Sequence, residues 1–481
     1  MSATTVIRAA DWMIVWDGER HVFLRDGDLA FKDGVIVQAG GRFDGVGDVE
    51  ISGAGRLVMP GLVNIHSHPT SEPLRKGVTD ETRSPGFHHS SLYEYLTAFT
   101  NDSEGVAPSM RVAFGELALS GVTTVVDLSI PFDGWLDVMA ESGLRCVVAP
   151  MFRDARWYTK DGHSLDYDWD EAAGRRGFEA AQRSCELARQ HSSGRLSGMM
   201  APAQIDPCGE ALLRDAHDFA AERNLPYQIH VSQSVTEFHE IFRRHGKTPV
   251  QWMESIGVLD ERAILGHAIF LDHHPWLHWT TSDDKRVIAE SGASVAHCPT
   301  VFSRRGITLR TLGGYQRAGI NVGIGTDTYP HDFLDEMRSA MMYARVIGET
   351  VDDLQTADVF NAATIGGATA LGRPDLGRLA VGAAADIVVV DATHPSMRPV
   401  RDPLRSLLYV AGSRAVRDVY VGGEQVVAEG RLTTIDLDAA LDELQAAQAR
   451  SLAGVASRDW AGRSADELAP LSLPINPTRD L

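Results

Sequence analysis

The sequence predicts an α/β protein: a (β/α)8 TIM barrel joined to a discontinuous β-sandwich that the N- and C-terminal segments build together. Three observations carry this. Eight short β-branched runs alternate with helix-length stretches between Pro60 and Gly372. Strand-like runs broken by Asp-Gly turns fill the segment before Pro60. Strand character returns beyond Gly372. A chain of 481 residues has room for both parts. The division expected is sandwich over 1–59, catalytic barrel over 60–372, sandwich again over 373–435, and a helix with a tail over 436–481.

In the first segment, Val6-Ile7-Arg8, Trp12–Trp16, Leu29-Ala30-Phe31 and Val35-Ile36-Val37 read as strands. Asp17-Gly18, Asp26-Gly27 and Asp33-Gly34 read as the hairpin turns between them. The barrel strands are expected at Leu62–His66, Val122–Leu128, Leu144–Ala149, Leu196–Ala201, Tyr227–Val231, Ala263–His267, Ser294–His297 and Asn321–Thr326. Met110–Leu119, Glu210–Arg223, Thr236–His245 and Asp335–Val346 carry helical periodicity. Further strands are expected at Leu376–Gly382, Ala385–Asp391, Val416–Val421 and Val426-Val427. Leu437, Leu441 and Leu444 stripe one face of a last helix, before a tail containing Pro and Arg.

A net charge of −20 argues against nucleic acid and anionic membrane as partners, and leaves a small-molecule substrate. Cys146, Cys185, Cys208 and Cys298 are scattered and form no CxxC pair, which fits reduced thiols. No apolar run reaches membrane-spanning length and the N-terminus has no signal-peptide pattern, so a cytoplasmic soluble protein is expected.

The chemistry starts at Val63-Asn64-Ile65-His66-Ser67-His68-Pro69. Residues two apart on a strand share a face, so His66 and His68 aim at one spot. His230 and His267 close the fifth and sixth runs, and Asp327 follows the eighth. Barrel chemistry sits at strand C-termini, which is where all five fall. Imidazoles with one carboxylate suit Zn²⁺, Fe²⁺, Mn²⁺ or Co²⁺. His273, His274, His278, His297 and His331 are read as structural, and Cys298 as a buried small residue. Aromatic residues crowd the loops over 69–105, 152–170 and 268–281, which suggests an apolar or aryl substrate.

Met59-Pro60-Gly61-Leu62-Val63-Asn64-Ile65-His66-Ser67-His68 resembles the first-strand signature of the amidohydrolase superfamily. The lone His230, His267 and Asp327, the stretch Gly382–Val388 and the Val419–Gly423 hairpin are similar to its remaining motifs. The resemblance implies a metal-dependent hydrolase of C–N or related bonds. It implies His66, His68, His230 and Asp327 as metal ligands, and His267 beside the activated water or substrate. Two-metal members carry a fourth-strand Lys; Leu196–Gln204 has none, so one divalent ion per chain is expected, with zinc favoured. Deaminases of the superfamily carry Glu three residues after the fifth-strand His, where this chain has Gln233, and a fourth-strand Pro-His, where it has Pro202-Ala203. An amide has no proton to shuttle. From these departures we expect hydrolysis of an apolar or aryl amide, urea or carbamate, as in the phenylurea and molinate hydrolase branch. Gln233 would orient that substrate, Asp327 would move the protons and His267 would stabilise the oxyanion. The alternative is a deaminase or chlorohydrolase of a heteroaromatic ring such as a triazine or nucleobase. A homologue without activity is a third class, against which the intact ligand set argues. A homo-oligomer is expected by analogy with proteins of this architecture.

Overall fold

The computed structural model describes residues 3–476. Eight parallel strands form the barrel: Leu62–Asn64, Val122–Ser129, Arg145–Phe152, Leu196–Gly198, Tyr227–Val231, Ala263–His267, Ser294–His297 and Asn321–Ile324. They pair as two arcs, strands one to four and five to eight. Single bridges close the ring, Met200 to Tyr227 and Gln204 to His230 on one side, and Ser67 to Asp327 on the other. Closure thus occurs at the strand ends where the expected ligands lie. Val63, Ile65, Val126, Met199, Ile264 and Ala296 fill the barrel axis. A second and larger core lies between the strands and the surrounding helices.

The sandwich joins the two ends of the chain. Ile387–Asp391 pairs antiparallel with Arg56–Pro60 and with Val416–Val421. One seven-stranded sheet therefore mixes N- and C-terminal strands. Ile7, Leu29 and Phe31 pack with Val58, Ile387, Val389 and Tyr420 in its core.

Several local expectations change. Asp33-Gly34 is a two-residue hairpin with both φ positive, at 52° and 77°. Asp26-Gly27 instead carries the chain from one sheet to the other, because His21–Leu24 and Gly27–Lys32 pair with different partners. Leu376–Gly382 is no strand. Its backbone is spent singly, Leu379 O accepting from Trp16 N and Gly382 N donating to Ile36 O. The expected C-terminal helix spans Leu437–Ala453, with two short helices after it at Val455–Arg458 and Ala465–Leu468; its buried stripe is Ala440, Leu444, Ala447 and Ser451, with Leu441 at 41% exposure. Arg479 of the expected tail lies outside the described residues.

Asp127 on the second strand is fully buried. Its Oδ2 accepts from Trp135 Nε1 at 2.8 Å, and its Oδ1 accepts from the Ser129 hydroxyl. Burial pushes this carboxyl up to about 7. A raised folded value means stability that is complete below the unfolded carboxylate range and is lost as pH climbs towards 7. Asp127→Asn keeps the shape without the charge. It is expected to melt close to wild type at pH 5 and about 2 °C or more above it at pH 8, read by calorimetry.

Candidate metal centre

His66 and His68 follow the first strand, His230 lies in the fifth, His267 ends the sixth and Asp327 follows the eighth. Glycines admit them. A Cβ on Gly325 would stand 2.5 Å from His66 Cβ, and one on Gly266 would stand 3.1 Å from His66 Cε1. His267 and Asp327 take φ values of 83° and 58°, a left-handed backbone that costs energy and is found where function demands it.

The ring orientations are fixed from behind. His66 Nδ1–H donates to Gln228 Oε1 at 2.8 Å, and Gln228 in turn donates to Ile65 O. His68 Nδ1–H donates to Leu128 O at 2.7 Å, and His230 Nδ1–H to Ala203 O at 2.5 Å. A carbonyl only accepts, so each ring carries its proton on Nδ1 and presents a bare Nε2. His68 Nε2 and His230 Nε2 face one another at 3.1 Å. Asp327 Oδ1 lies 3.3 Å from His68 Nε2 and 3.7 Å from His66 Nε2, and Asp327 Oδ2 lies 3.7 Å from His267 Nε2. His66 Nε2 is buried with no hydrogen-bond partner.

Two lone pairs this close repel unless a cation lies between them. Ligands about 2.0–2.1 Å from a tetrahedral zinc sit about 3.3 Å apart, which matches the spacing found. Burial depresses all four imidazoles, His68 to about 4, His230 to about 3, and His66 and His267 well below their ordinary value. They are neutral at pH 7, the form that ligates. Burial pushes the Asp327 carboxyl up to about 8, with the Glu72 carboxylate adding to this. The donor set therefore fits a divalent cation.

The centre opens into a cavity of about 1300 Å³, lined among others by His68, Gln204, His230, Gln233, Phe302 and Asp327. Of the six expected residues, His68, His230, Gln233, His267 and Asp327 line this cavity, and His66 is fully buried behind them. Gln204 and Phe302 also line the cavity and were not among the expected residues. The Phe302 ring meets His267 edge-on at 4.6 Å between centroids. A Cys298 donor atom lies within 4.8 Å of His66, His267 and Asp327 donors. His273, His274, His278, His297 and His331 join no candidate ligand group among the described residues.

The aromatic loops divide. Residues Ala155–Tyr158 and Asp166–Trp169 pair as a hairpin beside the mouth. Trp157 Nε1 and Tyr167 Oη both donate to buried Asp206 Oδ2, at 2.7 and 2.8 Å, and Trp157 lines the cavity. Trp276 and Trp279 instead pack on Phe270 and on Phe238 with Phe242, away from the cavity wall.

The model of the amidohydrolase family matches residues 57–426, and the chain belongs to that family. It is 29% identical over 435 residues to a 5-methylthioadenosine/S-adenosylhomocysteine deaminase of Halobacterium salinarum, covering 89% of this chain and 94% of the relative. Among solved structures, a zinc-bound adenosine deaminase of Xanthomonas campestris superposes with a TM-score of 0.76 at 24% identity, covering 93% and 98% of the two chains. A triazine hydrolase of Arthrobacter aurescens gives 0.77 at 21% identity, covering 93% and 99%.

These relatives overturn the expected amide, urea or carbamate hydrolysis and the phenylurea and molinate branch. The error has a physical source. Gln233 and Ala203 line the cavity wall. They leave untouched the imidazoles and Asp327, which govern the attack, so they do not specify the bond.

At pH 6 the four imidazoles are already neutral, while Asp327 still holds its proton. Zinc binding to the metal-free protein should release close to one proton, read by calorimetry in buffers of differing ionisation enthalpy. That release should vanish in Asp327→Asn. His66→Ala should lose most zinc affinity, as measured by metal content after dialysis.

Proposed function

We propose that the protein is an aminohydrolase that removes the amino group of a heteroaromatic ring, with adenosine-type nucleosides as the substrate class. The single observation that carries this is the set of neutral, pre-aimed imidazole Nε2 atoms beside Asp327 at the floor of a cavity with ample room for a nucleoside. Kinship along nearly the full chain to a deaminase of modified adenosines supports it. We assign one zinc ion per chain to His66, His68, His230 and Asp327.

His66, His68, His230 and Asp327 would hold a divalent cation, which when bound would lower the pKa of a water molecule towards neutrality. Asp327 takes the water proton and hands it to the ring or to the departing amine. His267, within 3.7 Å of Asp327 Oδ2, steadies the attacking oxygen. The attacking oxygen adds to the ring carbon, the C–N bond breaks, and ammonia leaves. Phe302 and Trp157 supply apolar surface for the ring.

Self-association belongs to the same reading. Met342, Val346 and Val410 are 46–69% exposed on one side of the Phe333–Gly348 helix and its neighbour, a patch suited to a second copy. Sedimentation should give a species larger than 52.3 kDa.

The zinc-loaded protein should release ammonia from adenosine, 5′-methylthioadenosine or S-adenosylhomocysteine, measured by a coupled assay. Asp327→Asn should lower kcat by about 10³-fold or more. Chloride release from chlorotriazines with no ammonia from any nucleoside would reject the proposal.

A further inference from the structure

Residues 69–105 form one wall of the cavity, which Thr70, Ser91, Leu92, Leu96, Thr100 and Asn101 line. This stretch is irregular apart from the short turns Pro73–Arg75, Pro85–Phe87 and Tyr95–Ala98. An irregular loop leaves backbone groups that other segments must satisfy. Here the C-terminal segment 437–468 satisfies them from outside. Gln448 Nε2 donates to Leu74 O at 2.6 Å and to Lys76 O at 3.0 Å. Ser451 Oγ donates to Thr100 O, and Arg458 Nε to Ala98 O, both at 2.7 Å. Arg450 forks onto the Asp102 carboxylate at 2.6 and 3.0 Å. Tyr95, Ala98 and Phe99 pack against Val455 and Leu468. The match to the amidohydrolase family ends at residue 426, before this segment begins.

The contacts converge on one buried carboxylate. Glu94 stands between Leu92 and Leu96 of the wall, and its side chain is 7% exposed. Glu94 Oε1 accepts from Arg463 Nη2 at 2.7 Å and from Trp460 Nε1 at 3.3 Å, and Oε2 accepts from Ser84 Oγ at 2.6 Å. Asp459 holds the same guanidinium at 2.8 and 3.0 Å. A buried carboxylate needs a cation and hydrogen bonds, and the cation comes from the C-terminal segment. The Trp460 ring also covers the tip of the hairpin beside the mouth. A Cβ on Gly162 would stand 2.8 Å from that ring, and one on Gly86 would stand 2.2 Å from Gly162 O. Next to Glu94, the Tyr93 ring meets the cavity-lining Trp157 edge-on at 5.0 Å between centroids, and its hydroxyl shares a hydrogen bond with Ser234 Oγ at 2.8 Å.

We infer that residues 437–468 are a strap that sets the form of the cavity from outside, with Arg463 and Trp460 as positioning residues. They act on the substrate through Glu94 and its neighbours Leu92, Tyr93 and Leu96, and neither lines the cavity itself. This inference rests on the aminohydrolase reading for its substrate and identifies what holds that substrate's wall in place.

The experiment compares the zinc-loaded wild type with Arg463→Ala, Arg463→Lys and Trp460→Phe, by hydrogen exchange resolved to peptides and by steady-state kinetics on a nucleoside. Arg463→Ala leaves Glu94 buried without its cation. Exchange over residues 84–101 should then quicken by about tenfold while the barrel strands keep wild-type protection. KM should rise by about fivefold or more, with kcat within about twofold and zinc content unchanged. Arg463→Lys should recover part of both effects, because an ammonium still supplies the charge. Trp460→Phe should shift both in the same direction and by less, and it decides the matter by the same readings if Arg463→Ala does not fold. Wild-type exchange over 84–101 in the variants would overturn the inference. So would faster exchange with KM unchanged, or exchange raised equally throughout the chain. The aminohydrolase reading is scored apart, by ammonia. If no nucleoside yields ammonia, that reading falls and the exchange alone decides the strap.

Discussion

The three hydrogen bonds that leave His66, His68 and His230 with bare Nε2 atoms are the constraint on which the rest depends. Each runs to a different strand: His66 to Gln228 on the fifth, His68 to Leu128 on the second, and His230 to Ala203 after the fourth. The same bonds that aim the lone pairs therefore tie distant parts of the barrel together. Burial then removes the competing proton from every ring. The outcome is a cluster of acceptors whose mutual repulsion a cation relieves.

The sandwich and the helices serve this centre indirectly. The strand Arg56–Pro60 belongs to the sandwich, and Pro60-Gly61 feeds it straight into the first barrel strand. Gly61 lies so near Thr123 that a Cβ there would stand 2.1 Å from its hydroxyl. The approach of His66 is thus set by a sheet that the two chain ends complete jointly. At the opposite closure of the barrel, Asn64 Nδ2 donates to Thr326 Oγ1 at 2.9 Å, and Asn64 Oδ1 accepts from His66 N and Thr326 N at 3.2 Å. One asparagine therefore sets the relation of His66 to Asp327.

The architecture and the ligand positions were legible because period-two alternation and strand-end chemistry survive without tertiary context. The misreadings were tertiary. Leu441 follows the helical stripe, yet the surface it meets favours Ala440 and Ala447. Asp26-Gly27 has turn chemistry, but a turn does not say which sheet receives the next strand. Trp276 and Trp279 look like substrate aromatics in a loop, yet Trp276 packs on Phe270 of that same loop and Trp279 on the helix residues Phe238 and Phe242. Gln204 follows Ala203 with no sequence signal of its own, and only the folded wall brings its side chain to the cavity. The substrate class was misjudged because one residue type was read as a statement about the bond, when it belongs to the cavity wall.

X-ray absorption at the zinc edge of the metal-loaded protein tests the central claim most directly. The account expects a shell of nitrogen and oxygen at about 2.0–2.1 Å, with the outer scattering of three imidazoles. A sulfur shell near about 2.3 Å, which would bring in Cys298, or fewer than three imidazoles, would contradict it.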